Sequence, residues 1–103
     1  MRVIALRTLR EFWESGHRAA ETPLRAWYGV ASKARWQSLA EVRQIFPHAD
    51  PVKADSGRML TVFNVGGNNY RLVVDIVYDL QAIYIQKVMT HAEYDKNRWK
   101  KEL

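Results

Sequence analysis

"RMLTVFNVGGNNYRLVVDIVY", residues 58–78, decides how this chain folds. Two runs rich in β-branched and aromatic residues flank "GGNN". Such runs favour strands, and glycine and asparagine tolerate the positive φ that a tight hairpin demands. The stretch predicts an antiparallel hairpin. Along its second strand Tyr70, Leu72, Val74 and Ile76 alternate with Arg71, Val73, Asp75 and Val77, and alternate side chains point to opposite faces. The first set is apolar or aromatic and is expected to face helices. The second carries Arg71 and Asp75, which suits an open, concave face.

Working outward, "AIYIQKVM" at 82–89 reads as a third strand, joined to the second by a short turn at "DLQ". Upstream, Leu6, Leu9, Phe12 and Trp13 recur at helical spacing between Leu6 and His17, and Gly16 permits a stop. A second helix is expected with Thr22 as its cap, Pro23 in the first helical position and Leu24, Trp27, Tyr28 and Ala31 as its buried stripe. Ser38 and Glu41 match a capping box, opening a short helix that ends before Pro47. "PHADPVKADSG" at 47–57 reads as an irregular loop. The expected architecture is α+β: two or three N-terminal helices packed on a small antiparallel meander, then a short C-terminal helix, in one domain over residues 1–103.

The chain has 103 residues, of which 48% are hydrophobic and 26% charged. That balance belongs to a globular protein with a modest core. Without cysteine there is neither a disulfide framework nor a thiolate metal site. Three histidines, at 17, 48 and 91, have no paired spacing, so no metal centre or cofactor is expected. "GGNN" precedes no helix and is no phosphate loop. The opening "MRVIALRTLREFWESG" is broken by arginines and lacks the apolar run of a signal peptide or membrane span. A cytoplasmic location with no membrane partner is the default expectation. A net charge of +5 favours a polyanionic partner: RNA, DNA or an acidic protein.

The densest chemistry lies in "KVMTHAEYDK", residues 87–96. Thr90 and Glu93 form a second capping box, with Met89 and Tyr94 placed for a hydrophobic staple. His91 has no such structural reason to be there. A helix start welcomes an anion, and a neutral imidazole there can move a proton. Asp95, four residues on, shares its face and can orient the ring. Arg71 can clamp a phosphate through its planar guanidinium, or equally pair with Asp75. Lys87 and Lys96 can neutralise charge, and in the basic tail "KNRWKK" Trp99 can stack a base. His17 and His48 receive no role.

Two of these runs together, "VFNVGGNNYRLVV" and then "IYIQKVMTHAEYDK" with "RW" close behind, resemble the HigB family of toxins from bacterial type II toxin–antitoxin modules. The resemblance covers about residues 58–99. It implies a RelE/ParE-like α+β domain and a metal-independent endoribonuclease, an mRNA interferase that cleaves messenger RNA in translating ribosomes. It also implies a HigA-type helix-turn-helix antitoxin as partner in a hetero-oligomer. Arg71 matches the arginine expected after the hairpin, and His91, Tyr94, Asp95 and Lys96 match the "HAEYDK" positions. These five are the catalytic candidates, with Lys87, Asn64, Arg98 and Trp99 as RNA-binding ones.

There are departures from the family pattern. The basic residue often found at the position of Gln86 is here one place later, at Lys87, and strict alternation would send it to the other face. The lysines that RelE carries before its hairpin are missing, and "TVFNV" offers only Asn64. On the resemblance, His91 would transfer a proton, Arg71 and Lys96 would stabilise charge, Tyr94 would stack on or position the nucleotide, and Asp95 would orient His91 or act as base. The rival function is that of a non-nuclease, ParE-like toxin or protein-binding module, acting through protein contacts as in gyrase inhibition.

Overall fold

A computed structural model describes all residues 1–103. Its three central strands are those the hairpin predicts: β3 (Met59–Val65), β4 (Tyr70–Val77) and β5 (Ala82–Thr90). The β3–β4 hairpin closes with Val65 opposite Tyr70. Gly66 and Gly67 hold φ of +65° and +66°, and a Cβ on Gly66 would lie 3.1 Å from the Tyr70 ring. Glycine is needed there for conformation and for space.

Two further strands make the sheet mixed rather than a pure antiparallel meander. β1 (Arg2–Ile4) pairs in parallel with β5, Arg2 opposite Ala82 and Ile4 opposite Tyr84. β2 (Asp50–Lys53) pairs antiparallel with β3, Asp50 opposite Val62. The strand order is β1-β5-β4-β3-β2. The expected irregular loop over 47–57 is thus half strand. Pro51 is tolerated because β2 is an edge, where one row of N–H groups has no ladder partner to lose.

Three helices precede the central strands: α1 (Leu6–Glu14), α2 (Glu21–Ala31) and α3 (Leu39–Ile45). Two short ones follow, α4 (His91–Asp95) and α5 (Trp99–Glu102). Thr22 is not the α2 cap. A 3₁₀ turn over Arg18–Ala20 runs directly into the helix, and Ala20 occupies the cap position. Pro23 is the third helical residue, where a missing N–H still costs nothing. Ser38 does cap α3, accepting from the Glu41 N–H at 3.4 Å.

Each face of β4 is buried, against a different layer. Leu72 and Val74, with Phe63 of β3 and Ile83 and Ile85 of β5, form the main core with Leu9, Trp13, Leu24 and Trp27 of α1 and α2. That is the face predicted to meet the helices. The other face was expected to be open, but it carries a second, smaller core of Leu60, Val62, Val73, Met89 and Trp99. The segment after β5 folds back over it: the Asp55 N–H donates to the Lys100 carbonyl at 3.0 Å, and Lys87 forms an ion pair with Glu102.

One irregularity in β5 sets which residues reach that face. Val73 pairs with Lys87 and Val74 with Ile85, leaving Gln86 as an extra, bulged residue. The bulge rephases the strand. Ile85 and Val88 both face the main core, and Lys87 and Met89 both lie on the face of Val73.

Candidate active site

The site lies where the hairpin loop, the end of β5 and the turn before β2 converge. Arg71 is 8% exposed, although it is a charged residue on a strand. The hairpin loop holds its guanidinium: Nη2 donates to Asn68 Oδ1 at 2.7 Å, and Nη1 donates to the carbonyls of Asn68 at 3.2 Å and Tyr70 at 3.1 Å. Its central carbon lies 5.7 Å from the centre of the Tyr94 ring. The alternative pairing with Asp75 is not made, because Asp75 is taken by Arg58 at 3.0 Å. A buried cation held by neutral acceptors keeps its charge available to an incoming anion.

His91 adjoins this arginine. Its Nδ1 stands 3.4 Å from Arg71 Nη2 and 3.4 Å from Asp95 Oδ2. One ring nitrogen cannot serve both partners: protonated, Nδ1 donates toward Asp95, and unprotonated it accepts from Arg71. The ring thus sits at a two-way junction whose setting depends on its proton.

The helix-start reading of α4 needs correction in part. Thr90 Oγ1 accepts from the Glu93 N–H at 3.2 Å, as a cap should. Glu93 does not reach back; its carboxylate meets Lys96 at 3.5 Å. The His91 N–H continues the chain of backbone bonds to the Asn69 carbonyl at 2.9 Å. With two first-turn donors occupied and only five residues in the helix, backbone N–H groups offer little to a phosphate. The positive charge of the site comes from side chains.

Tyr94 is fixed between elements. Trp99 stacks on it at 5.3 Å with the rings 19° apart, and the indole N–H donates to the Tyr94 carbonyl at 3.2 Å. The Tyr94 hydroxyl is held above the ordinary tyrosine pKa, first by burial and then by the Asp50 carboxylate, with Arg71 pulling the other way. It therefore offers a neutral O–H, not a phenolate, at any physiological pH.

A cleft of about 430 Å³ opens onto these groups, lined by Asn64, Arg71 and Tyr94 together with Arg43, His48 and Asp50. In the sequence His48 received no role and Asp50 went unnoticed because residues 47–57 read as an irregular loop, and Arg43 lay on a short helix with no catalytic motif around it. Of the sequence-predicted residues, Asn64, Arg71 and Tyr94 line the cleft, and His91 and Asp95 join it through Arg71. Lys96 is exposed on the outside of α4. Lys87 and Arg98 line a different depression, along with Thr90 and Glu102. Trp99 is 3% exposed and packs in the second core, so it is no base-stacking platform.

Residues 20–97 match the HigB toxin family, the RelE-like toxic component of a toxin–antitoxin system. The chain belongs to the HigB toxin family. As such a component, this HigB-family toxin has a cognate antitoxin as partner. It is 36% identical over 75 residues to the mRNA interferase toxin HigB of Escherichia coli K12, covering 73% of this chain and 70% of the relative. The mRNA interferase HigB of Shigella flexneri gives the same identity and coverage. The mRNA interferase HigB of E. coli O6:H1 is 32% identical over 73 residues, 71% of this chain and 69% of the relative. The match takes in Arg43, His48 and Asp50 as well as the hairpin and α4. No helix of this HigB-family toxin is long and apolar enough to cross a membrane.

Proposed function

We propose that this toxin is an mRNA interferase, a metal-independent endoribonuclease that cuts messenger RNA on translating ribosomes and is neutralised by a HigA-type antitoxin in the bacterial cytoplasm. The observation that carries the reading is the Arg71 guanidinium, buried yet open to a cleft and beside the His91 ring. The names borne by the relatives support the same chemistry. Metal-free cleavage requires a base for the ribose 2′-OH, positive charge at the non-bridging oxygens and an acid for the departing 5′ oxygen. Arg71 supplies the charge and His91 a transferable proton, with Asp95 setting its ring. Tyr94 positions the nucleotide through its ring edge and neutral hydroxyl. Lys96, Lys87, Asn64 and Arg98 guide the strand by charge and hydrogen bonding. Brief induction followed by mapping of messenger RNA 5′ ends tests the reading. New ends are expected with the wild type and not with Arg71→Ala. Intact messenger RNA together with blocked DNA supercoiling would establish the gyrase-inhibitor alternative instead.

A further inference from the structure

We infer that His48 is a second proton-transfer residue, the base that accepts the 2′-OH proton in the cleft it shares with Arg71, the neighbour of His91. The inference rests on the nuclease reading and deepens it. Of the three imidazoles, His17 is stacked on Phe12 at 4.3 Å and His91 is engaged by Arg71 and Asp95. His48 alone lines the Arg71 cleft, and no hydrogen bond or ion pair occupies its ring.

Its position is built. The Ala49 N–H donates to the Phe46 carbonyl at 3.0 Å, which closes a tight turn with Pro47 and His48 at its tip. Arg43 Nε donates to the Ala49 carbonyl at 2.9 Å, and Ala49 is itself buried, so the turn is anchored beneath the histidine. β2 follows immediately and pairs with β3, which brings the tip opposite Asn64 and Arg71. An exposed, unengaged imidazole on an anchored turn, in the same cleft as a buried guanidinium, is what a base beside a phosphate-binding arginine requires. The other charged or titratable groups lining that cleft are Arg43, Asp50, Arg71 and Tyr94.

In the step, His48 takes the proton from the 2′-OH as that oxygen bonds to phosphorus. The bond from phosphorus to the 5′ oxygen breaks, and His91, protonated and held toward Asp95, gives its proton to that leaving oxygen. The products are a 2′,3′-cyclic phosphate and a 5′-hydroxyl end. His48 leaves carrying one proton more and His91 one fewer, and solvent resets both.

The test is single-turnover cleavage of messenger RNA on purified translating ribosomes by wild type, His48→Ala and His48→Gln, as a function of pH. Loss of roughly a hundredfold or more in the cleavage rate is expected for both variants, with ribosome binding retained and the acidic limb of the pH profile gone. Added imidazole should restore part of the His48→Ala rate and none of an Arg71→Ala rate. Wild-type cleavage with His48→Ala within threefold of it, and an unchanged pH profile, would overturn this inference while leaving the nuclease reading intact. A wild type that cuts no messenger RNA would overturn both.

Discussion

At the scale of single residues, the site depends on how Arg71 is held. Its fork is shared among Asn68 and Tyr70 acceptors, so a lysine keeps the charge and loses the planar set of donors. Arg71→Lys is expected to lower messenger RNA cleavage by about 10²–10³-fold while the circular dichroism spectrum keeps its wild-type shape. Trp99 invites the opposite experiment. Trp99→Phe keeps the stack on Tyr94 and removes one indole hydrogen bond, at a cost of about 1 kcal/mol. Trp99→Ala empties part of the second core and should cost about 3–5 kcal/mol; urea denaturation reads both. Arg71, Tyr94, His91 and Asp95, which the fold brings together, crowd in the sequence into one hairpin strand and the turn after β5, whereas Lys96 from the same run stays outside, exposed and beside Glu93. His48 was not legible, since its neighbours in the cleft lie on β3, β4 and α4 and only the β2–β3 pairing brings them together. Trp99 was misread because four basic neighbours suggested a nucleic-acid contact. Val73, apolar on the supposedly open face, was the signal that something must cover it.

Among elements, the central hairpin was predictable to within a residue, since β-branched runs and a glycine turn are local signals. β1 escaped notice because three residues, "RVI", are too few to show a period, and β2 because Pro51 and turn-formers mask it. The bulge at Gln86 was invisible for a different reason: nothing in "IYIQKVM" departs from a regular strand. Its effect is to put Lys87 on the face where strict alternation would place residue 86. Deleting Gln86 should therefore leave every later side chain of β5 on its present face, and the variant is expected to retain a cooperative thermal transition. Leu72→Ala, in the fully buried middle of β4, should by contrast lose about 2–5 kcal/mol in the same assay. A deletion variant that melts without cooperativity would show that the strand needs the bulge for curvature as well as for phase.

For the whole molecule, two cores on one sheet give stability a predictable pH dependence at the alkaline end. Burial raises the pKa of both Tyr78 and Tyr94. The folded state thus holds two phenolic protons more tightly than the unfolded chain does. That contribution is fully present below the unfolded tyrosine pKa of about 10 and is lost as pH rises through the folded values. Urea midpoints should fall as pH rises above about 10, and Tyr78→Phe should lessen the fall. The pairing of β1 with β5 carries a consequence in time. Residues 2–4 find their partners only when residues 82–84 have been made, and bacterial synthesis at about 5–20 residues per second sets that wait at roughly 4–16 s. The β1 edge of the sheet therefore closes late, after both strands of the central hairpin have been made.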